Sequence, residues 1–299
     1  MAWRGVHLTR PARLSLADGQ MVVRQDEGEV RLPLEDVAWV VIDTPQATLT
    51  SALLSACMSA GIALITCDAA HTPSGLTLPF HRHHKQAYVA TLQAAAGAPL
   101  RKRLWQTTVR AKIANQAAAL ESCTGDAGAL PAMVERVGSG DPDNVEARAA
   151  RYYWAKLFPA FVREDASDRR NTLLNYGYAV VRSAVARGLV ACGLLPAFGI
   201  HHASVTNPFN LADDLVEPFR PFVDRLVWTL TDQGYNKEGE MCLEDRRALA
   251  AVLLSDAVLG TETVNLLVAS ERCAASLIRA MEANSAGELL LPRLRAGLS

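Results

Sequence analysis

The sequence predicts an α+β fold that is mainly α, with an N-terminal β-sandwich-like domain followed by an all-helical domain. Apolar and polar residues alternate over most of residues 1–75, which is typical of strands. From about residue 86 the chain is rich in alanine and leucine at helical spacing, with almost no strand signal. We therefore place the β domain at residues 1–75, a linker at 76–85 and the helical domain at 86–299.

Strand and turn signals follow one another through the N-terminal part. The stretch HLTRPARLSLADGQMVVRQ alternates on both sides of an Asp18-Gly19 turn, as a β-hairpin does. EVRLPLEDVAWVVID alternates again and runs into a β-branched strand. TLTSALLSACMSAG predicts a short helix that ends at Gly61, and IALITCD predicts the strand behind it. Prolines and a glycine between residues 72 and 85 indicate the linker.

Two long helices can be delimited in the C-terminal part. A break at residues 138–144 offers Asp141 as an N-cap and Pro142 as the first residue of a helix that would reach about residue 160. DRRNTLLNYGYAVVRSAVARGLVACG predicts one long, mostly buried helix that ends at Gly193. We expect the last fifteen residues to form a loosely held tail.

The composition excludes several classes of protein. No apolar run approaches the roughly 20 residues that a membrane span needs, and no charged-then-apolar leader opens the sequence. The six cysteines are scattered singly without a C-x-x-C pair, which argues against a zinc knuckle and a disulfide framework. The 30 basic and 31 acidic residues nearly cancel, so any nucleic-acid surface must be local. We expect a soluble cytoplasmic protein without a membrane partner.

Glu146 is the first candidate for chemistry. It shares one helix face with Ala150, Tyr153 and Leu157, so a carboxylate lies along a stripe that otherwise faces a core. A glutamate in the first turn also favours the helix dipole, and it can simply point to solvent. The residues alone leave both interpretations open.

Three carboxylates cluster farther along the chain. Asn207 can cap a helix that starts at Pro208, which places Asp213, Asp214 and Glu217 on one side of that helix. Like charges at this spacing repel each other, so the cluster is either a solvated acidic surface or a site for a divalent cation.

Two histidines precede the acidic cluster. A loop could bring the imidazole of His202 to the same cation. One nitrogen and two or more oxygens suit manganese or magnesium better than a metal that prefers thiolates. His201 points the opposite way on an extended segment, and we expect it to be structural.

Two further polar segments lie near the start of the helical domain. HRHHK offers His81, His83 and His84, which could bind zinc but lack a clear fourth ligand; a solvated linker that touches phosphate is the alternative. The densest basic segment follows it and includes Trp105. It is either a solvated helix face or a contact with the DNA backbone. Its basic residues are Arg101, Lys102, Arg103, Arg110 and Lys112.

Several distinctive motifs lie along the chain. They are N-x-x-x-N-Y-G-Y-A-V at residues 171–180, G-I-H-H at 199–202 and N-P-F-N-L-A-D-D-L-V-E-P-F-R-P at 207–221, together with P-L-E-D-V, G-I-A-L-I-T-C-D and H-T-P-S-G. In combination they resemble the CRISPR adaptation (spacer acquisition) integrase and endonuclease family, specifically its type II branch. The resemblance covers nearly the whole chain. Val216 stands where the family more often has methionine, which affects no catalytic position.

The resemblance implies a fold, a site and a reaction. The family joins an N-terminal β-sandwich-like domain to a helical catalytic domain. Its metal ligands map onto Glu146, His202 and Glu217, with Asp214 as a further ligand or a group that supports one. The expected reaction is a transesterification, dependent on Mg²⁺ or Mn²⁺, that joins the 3′-hydroxyl ends of short protospacer DNA to the leader-proximal repeat of a CRISPR array. The same site would nick branched DNA as an endonuclease.

The resemblance also implies partners. Family members form asymmetric homodimers, and two dimers flank a dimer of a small ferredoxin-like adaptation subunit. Double-stranded DNA is the expected substrate, both as protospacer and as leader-repeat, and the need for the type II effector nuclease is left open. Two alternatives remain: a stand-alone metal-dependent DNA nuclease that uses the same three residues, and a non-catalytic DNA-binding scaffold.

Overall fold

The computed structural model describes residues 4–79 and 83–295, and its N-terminal part consists of two sheets around one short helix. The elements are β1 Arg4–Leu8, β2 Ala12–Ala17, β3 Gln20–Gln25, β4 Gly28–Pro33, β5 Val37–Ile42, β6 Ala47–Leu49, α1 Ser51–Ala60, β7 Ala63–Cys67 and β8 Pro73–Thr77. The first sheet has the strand order β1-β5-β7-β8, and the second has the order β4-β3-β2-β6. This arrangement confirms the predicted sandwich-like N-terminal part.

Two predicted turns are present. β2 and β3 form an antiparallel hairpin around Asp18 and Gly19, and both turn residues have positive φ, as the tight turn of a hairpin requires. α1 ends where Gly61 adopts a left-handed conformation and its N–H reaches the carbonyls of Cys57 and Met58. The glycine is suited to this position because it has no Cβ to strain the left-handed backbone.

β5 connects the two cores of the molecule. All six of its residues are buried. Trp39 and Val41 pack into the helical core, whereas Val40 and Ile42 pack between the sheets. β5 pairs in parallel with both β1 and β7, and a parallel strand covered on both faces is apolar along its whole length. The first sheet is therefore sandwiched between the second sheet and the helices.

The C-terminal part is mainly helical, and its long helix α6 lies at the centre. The helices are α2 Gln86–Ala95, α3 Ala98–Thr124, α4 Leu130–Val134, α5 Val145–Leu157, α6 Arg169–Ala191, α7 Asn210–Val216, α8 Arg220–Leu230, α9 Leu243–Ala250 and α10 Leu266–Glu282. α6 packs against α7, α8, α9 and α10, and it ends just before Gly193 as predicted. Across residues 4–79 and 83–295, no helix combines the length and the apolar character that crossing a bilayer demands.

The C-terminal part is not entirely helical, which corrects the prediction of an all-helical domain. Strands β9 Asp256–Leu259 and β10 Glu262–Asn265 form a hairpin around Gly260. Ala257 and Leu259 of this hairpin are buried in the core. Strands of four residues are too short to show a clear period, so tertiary packing decides their conformation.

The chain end is fixed to the core as far as residue 295, so the expectation of a loose tail is wrong there. Asn115 of α3 donates its side-chain amide to the carbonyl of Pro292 and accepts the N–H of Leu294. Leu294 itself is buried. Because these contacts come from a helix that is distant in sequence, local sequence propensity could not predict them. Residues 296–299 lie outside the described part.

β8 crosses the predicted boundary at residue 75. It pairs antiparallel with β7 and ends at Thr77, within the stretch where proline and glycine indicated a linker. Pro73 begins the strand at the sheet edge. Proline has no N–H to donate, and the first residue of an edge strand does not need one for the sheet's hydrogen bonds. Proline and glycine residues that are typical of a linker are therefore also compatible with an edge strand.

A buried ion cluster ties the first sheet to α9. Asp43 follows β5 directly and is 2% exposed, and its carboxylate lies 2.6 Å from His71 Nδ1 and 3.0 Å from Arg246 Nε of α9. His7 Nε2 of β1 lies 3.3 Å from the same carboxylate. Burial lowers the pKa of His7, although Asp43 acts in the opposite direction. Asp43 and Arg246 belong to the two different parts of the chain, so their ion pair connects the first sheet to α9.

Gly177→Ala should destabilise the helical part by about 1–3 kcal/mol, because the packed helices leave no room for a side chain at this position. A Cβ at Gly177 would lie 2.4 Å from Val223 Cγ1 and 3.2 Å from Leu249 Cδ2, where α6 meets α8 and α9. Urea unfolding of the variant measures the loss. Combining it with Val223→Ala should cost less than the sum of the two single effects, and strict additivity would contradict the clash.

Candidate active site

Glu146 lies in the first turn of α5, and Asp141 caps that turn. The Asp141 carboxylate accepts the N–H groups of Val145 at 2.9 Å and of Glu146 at 3.0 Å. Asn144 has a φ of 49°, so the chain turns sharply between the cap and the helix. Asp141 therefore caps the helix through its side chain as predicted, but Asn144 occupies the N-cap position and the helix starts at Val145, so the predicted start at Pro142 is wrong.

Glu146 and Glu217 meet at one lysine. Lys112 Nζ of α3 lies 2.6 Å from Glu146 Oε1 and 2.5 Å from Glu217 Oε2. The three side chains are largely enclosed, with exposed fractions of 13% for Lys112, 24% for Glu146 and 8% for Glu217. Glu146 thus turns inward, and the structure brings together two of the three residues that the resemblance assigned to catalysis.

Arg220 completes the charges around Glu217. Its Nε lies 3.1 Å from Glu217 Oε1, and its guanidinium lies 4.8 Å from the centre of the Tyr178 ring. Burial by itself raises the pKa of Glu217, but the positive charges of Lys112 and Arg220 outweigh it and hold that pKa below its usual value. The carboxylate therefore stays ionised although it is buried.

Asp214 organises the G-I-H-H loop. Its carboxylate is fully buried and accepts the backbone N–H groups of Ile200 at 2.5 Å, His201 at 3.0 Å and His202 at 3.0 Å. The same carboxylate bonds to His202 Nδ1 at 2.6 Å. Both of its oxygens are used in this way, so Asp214 holds the loop and orients the imidazole of His202.

Gly199 allows the loop to close. A Cβ at this position would lie 2.1 Å from the backbone oxygen of His202 and 3.0 Å from Asp214 Oδ2. Any other residue would separate the two ends of the turn. The glycine of the G-I-H-H motif is therefore required because the backbone of His202 and the carboxylate of Asp214 leave no room for a side chain.

The ring of Trp105 packs against the rings of both histidines. This buried indole of α3 stacks on His201 with ring centres 4.2 Å apart, and it meets His202 edge-on at 5.9 Å. His201 therefore has a structural contact, as expected. The hydrogen bond to Asp214 raises the pKa of His202, while partial burial acts against it.

The three acidic residues of the predicted cluster have separate partners. Asp213 pairs with Arg182, whose Nε lies 2.5 Å from Asp213 Oδ1. Asn207 does not cap a helix at Pro208; its side-chain amide donates to Asp213, and the helix α7 starts at Asn210. The repulsion expected among the carboxylates is avoided because each one faces a different donor.

The side chains of the site include some of the donors that a divalent metal ion prefers. In residues 4–79 and 83–295, no three side chains of His, Cys, Asp or Glu converge into a metal-binding group. Glu146 and Glu217 do converge on one cationic point, and their oxygens suit Mg²⁺ or Mn²⁺. His202 turns Nδ1 to Asp214, which leaves Nε2 as the nitrogen for a ligand. Two carboxylates thus converge among the described residues, and the imidazole of His202 does not join them in one metal-binding group.

The predicted basic segment does not form one strip. Lys112 contacts the two glutamates instead of facing DNA, which corrects its assignment. On α3, Arg103 and Arg110 share a face that lies opposite to the face of Arg101 and Lys112. Arg103 also donates to the carbonyl of Asn284. Arg101 and the adjacent Lys102 are exposed.

The histidine-rich segment has a packing contact. His83 lies against the end of α6, where a Cβ on Gly193 would meet its Nδ1 at 2.9 Å. His84 is exposed. His81 lies outside the described residues, and the described residues contain no zinc-like cluster.

A buried carboxylate lies beneath the site. Asp224 of α8 is almost fully enclosed and accepts the hydroxyl groups of Tyr153 at 3.0 Å and of Tyr178. Burial raises the pKa of Asp224 to about 7, although both tyrosine hydroxyls act to lower it. The network links α5, α6 and α8 behind the two glutamates.

Asp224→Asn should change how stability depends on pH. The pKa of Asp224 is about 7 in the folded protein and 3.8 at its ordinary value, which we take for the unfolded chain. The folded protein therefore binds this proton more tightly. The contribution of Asp224 to stability falls as pH rises from about 4 to 7. Asparagine removes this loss. Relative to wild type, the variant should gain about 1–3 kcal/mol between pH 5 and pH 8 in urea unfolding. Parallel pH profiles for the two proteins would contradict this.

Sequence reasoning missed several residues of the site. Lys112 was assigned to DNA, and Arg220 and Asp224 were not singled out. A signal existed for Arg220, because it follows Glu217 at the helical spacing of an ion pair. For Lys112 the spacing of seven residues from Trp105 places both on one face of α3. Nothing local indicates that this face meets the glutamates.

Comparison with known proteins places the chain in a family. The model of the family "CRISPR associated protein Cas1" matches residues 6–261. The CRISPR-associated endonuclease Cas1 of Neisseria meningitidis serogroup C (strain 8013) is 37% identical over 297 residues, which cover 98% of this chain and 97% of the relative. A CRISPR-associated endonuclease Cas1 of Pyrobaculum aerophilum is 26% identical, covering 82% of this chain and 88% of the relative. The Neisseria relative is consistent with the type II branch.

Solved structures share the fold. A casposase bound to an integration product has a TM-score of 0.77 at 17% identity, covering 95% of this chain and 92% of that one. A CAS1 protein from Thermotoga maritima has a TM-score of 0.73 at 17% identity, covering 99% of this chain and 100% of that one. These likenesses support the α+β architecture. The family model and the relative that is 37% identical over nearly all of both chains show the family: this chain belongs to the Cas1 family of CRISPR-associated proteins.

Proposed function

We propose that this protein is a CRISPR spacer-acquisition integrase, which joins the 3′-hydroxyl ends of short protospacer DNA to the leader-proximal repeat of a CRISPR array. The observation that carries the proposal is the convergence of Glu146 and Glu217 on one cationic point, together with an imidazole of His202 that Asp214 orients. Membership of the Cas1 family supports it. Relatives named endonucleases and a structural neighbour captured with an integration product point in the same direction.

The reaction exchanges one phosphodiester for another, so it needs no ATP. The attacking 3′-oxygen forms a bond to phosphorus while the bond to the leaving 3′-oxygen breaks. The attacking hydroxyl gives up its proton, and the leaving oxygen takes one up. A bound Mg²⁺ or Mn²⁺ would polarise the scissile phosphate, lower the pKa of the attacking hydroxyl and offset the charge of the transition state. Glu146 and Glu217 would hold this ion, with His202 as the third ligand.

His202 would act through Nε2. Its Nδ1 bonds to Asp214, so the remaining ring nitrogen can either bind the ion or receive the proton of the attacking hydroxyl. Asp214 serves in this proposal as a positioning residue and not as a ligand. Its two oxygens already accept four hydrogen bonds from the loop.

The proposal extends to partners. Structural neighbours include a Cas6-RT-Cas1–Cas2 complex and a complex of TtCas1 with DNA. By analogy, we propose that this chain acts as a homodimer on double-stranded DNA, with two dimers flanking a dimer of a small ferredoxin-like subunit. Arg101 and Lys102, exposed on the first turns of α3, are proposed contacts with the DNA backbone.

Strand joining tests the proposal directly. A labelled duplex is incubated with the protein, its partner subunit and Mn²⁺ in the presence of a plasmid that carries the cognate leader and repeat. The expected product is label joined covalently to the plasmid at the first repeat. Omitting the metal and adding EDTA should abolish the product.

The main alternative is a metal-dependent DNA nuclease. It would use the same residues but deliver water in place of a 3′-hydroxyl. In the assay above it would nick the plasmid without transferring label. A non-catalytic scaffold would do neither, and it would retain DNA binding.

A further inference from the structure

We propose that Lys112 is a resident counter-ion of the active site that competes with the divalent metal ion for Glu146 and Glu217. The ion pair is observed directly, since one ammonium group lies within 2.6 Å of both carboxylates. The inference deepens the proposed function and rests on it, because it concerns the metal ion that is invoked there.

The charges explain why a cation belongs at this point. Glu217 is almost completely enclosed, and burying an ionised carboxylate without a partner is strongly unfavourable. Lys112 and Arg220 balance the charges of Glu146 and Glu217. The lysine therefore holds both carboxylates at one point, which is the arrangement that a metal ion requires.

The same contacts make the lysine a competitor. An ammonium group has three donors and no lone pair, so it cannot become a metal ligand. A divalent ion held by the same two carboxylates would lie within a few ångströms of the ammonium and be repelled by it. Lys112 must therefore move away for the ion to bind.

Only the side chain has freedom to move. The backbone of Lys112 is in the middle of the 27-residue helix α3, between the buried Val109 and Asn115. Asn115 is held by the carbonyls of Pro218 and Pro292. Displacement therefore occurs by rotation of the lysine chain, and the helix stays in place.

Mn²⁺ binding to the DNA-free protein tests this inference. Free Mn²⁺ is followed by electron paramagnetic resonance during titration of wild type and of Lys112→Met. Methionine keeps an unbranched side chain, shorter by one atom, and removes its charge. We expect the variant to bind Mn²⁺ at least about tenfold more tightly. Lys156→Met is the matched control, since Lys156 is exposed on α5, the helix of Glu146, and its loss should leave the dissociation constant unchanged.

Thermal unfolding gives a second readout that does not depend on activity. Without metal, Lys112→Met should unfold at a lower temperature than wild type, because two carboxylates lose their partner. Mn²⁺ should then raise the unfolding temperature of the variant more than that of wild type. Should the methionine variant not fold, Lys112→Gln removes the charge but keeps donors for the carboxylates, and the same tightening is expected.

The outcomes separate the two proposals. If wild type binds Mn²⁺ with the same affinity as the charge-removing variants, or more tightly, the inference about Lys112 is overturned and the proposed metal site is not. A failure of wild type and both variants to bind Mn²⁺ overturns the proposed metal site, and the inference with it. Tighter binding in both variants with an unchanged Lys156→Met control supports it.

Discussion

Glu217→Gln should reduce strand joining by about 10³-fold while the protein remains folded and able to bind DNA. Glu217 supplies one of the two carboxylates that converge on a single point, and glutamine keeps its shape but not its charge. Losing a group that stabilises charge in a transition state typically costs about 10²–10³-fold, and losing the proposed metal ligand would increase the effect. Joining of a labelled duplex into a leader-repeat plasmid, with Mn²⁺ and the partner subunit, is the measurement.

Two controls make this result specific. Glu121→Gln changes an exposed glutamate on α3 and should join DNA at the wild-type rate. DNA binding by fluorescence anisotropy and circular dichroism of Glu217→Gln should match wild type. Equal joining by Glu217→Gln and wild type would mean that the site is misassigned. Loss of joining together with loss of DNA binding would point to a role in binding.

Asp214→Ala should destabilise the protein by about 3–5 kcal/mol and abolish joining, because one fully buried carboxylate supports a whole loop. Its removal leaves the N–H groups of Ile200, His201 and His202 without their acceptor, and it releases the imidazole. Urea unfolding measures the first effect and the plasmid assay measures the second. A stability within about 0.5 kcal/mol of wild type would contradict the structural role.

Asp214→Asn separates positioning from metal binding. The amide retains one oxygen acceptor but presents an NH₂ group where the carboxylate accepted hydrogen bonds, so the loop should be partly preserved. A positioning residue predicts a shifted pH profile of joining, since the pKa of His202 is raised by its bond to Asp214. A direct ligand predicts instead that Mn²⁺ affinity falls while stability is unchanged.

Much of the fold could be predicted from local pattern. The change of period after the N-terminal part separated strands from helices, and Gly61 and Gly193 marked helix ends, because left-handed caps favour glycine. The two four-residue strands around Gly260 could not be predicted in the same way. Their conformation depends on burial of Ala257 and Leu259 in a core that the rest of the chain builds.

The candidate site was predictable in its residues and not in its contacts. The pattern of its helix face singled out Glu146, the motifs contain His202 and Glu217, and the role of these residues remains a proposal. Their neighbours came from elsewhere in the chain. Lys112 was assigned to DNA because a basic helix face has no sequence feature that distinguishes solvent from a buried carboxylate.

By itself, the sequence determined which helix faces are apolar, where several turns must form and which residues carry the family's motifs. These properties depend on neighbours within a few positions, where backbone geometry fixes the spacing of side chains. Only the tertiary structure decided that Lys112 lies between Glu146 and Glu217, and that Asp214 holds the loop of His202. Each of these contacts joins elements that are distant in sequence, so packing of the helices, and not local preference, selects the partner of a buried charge.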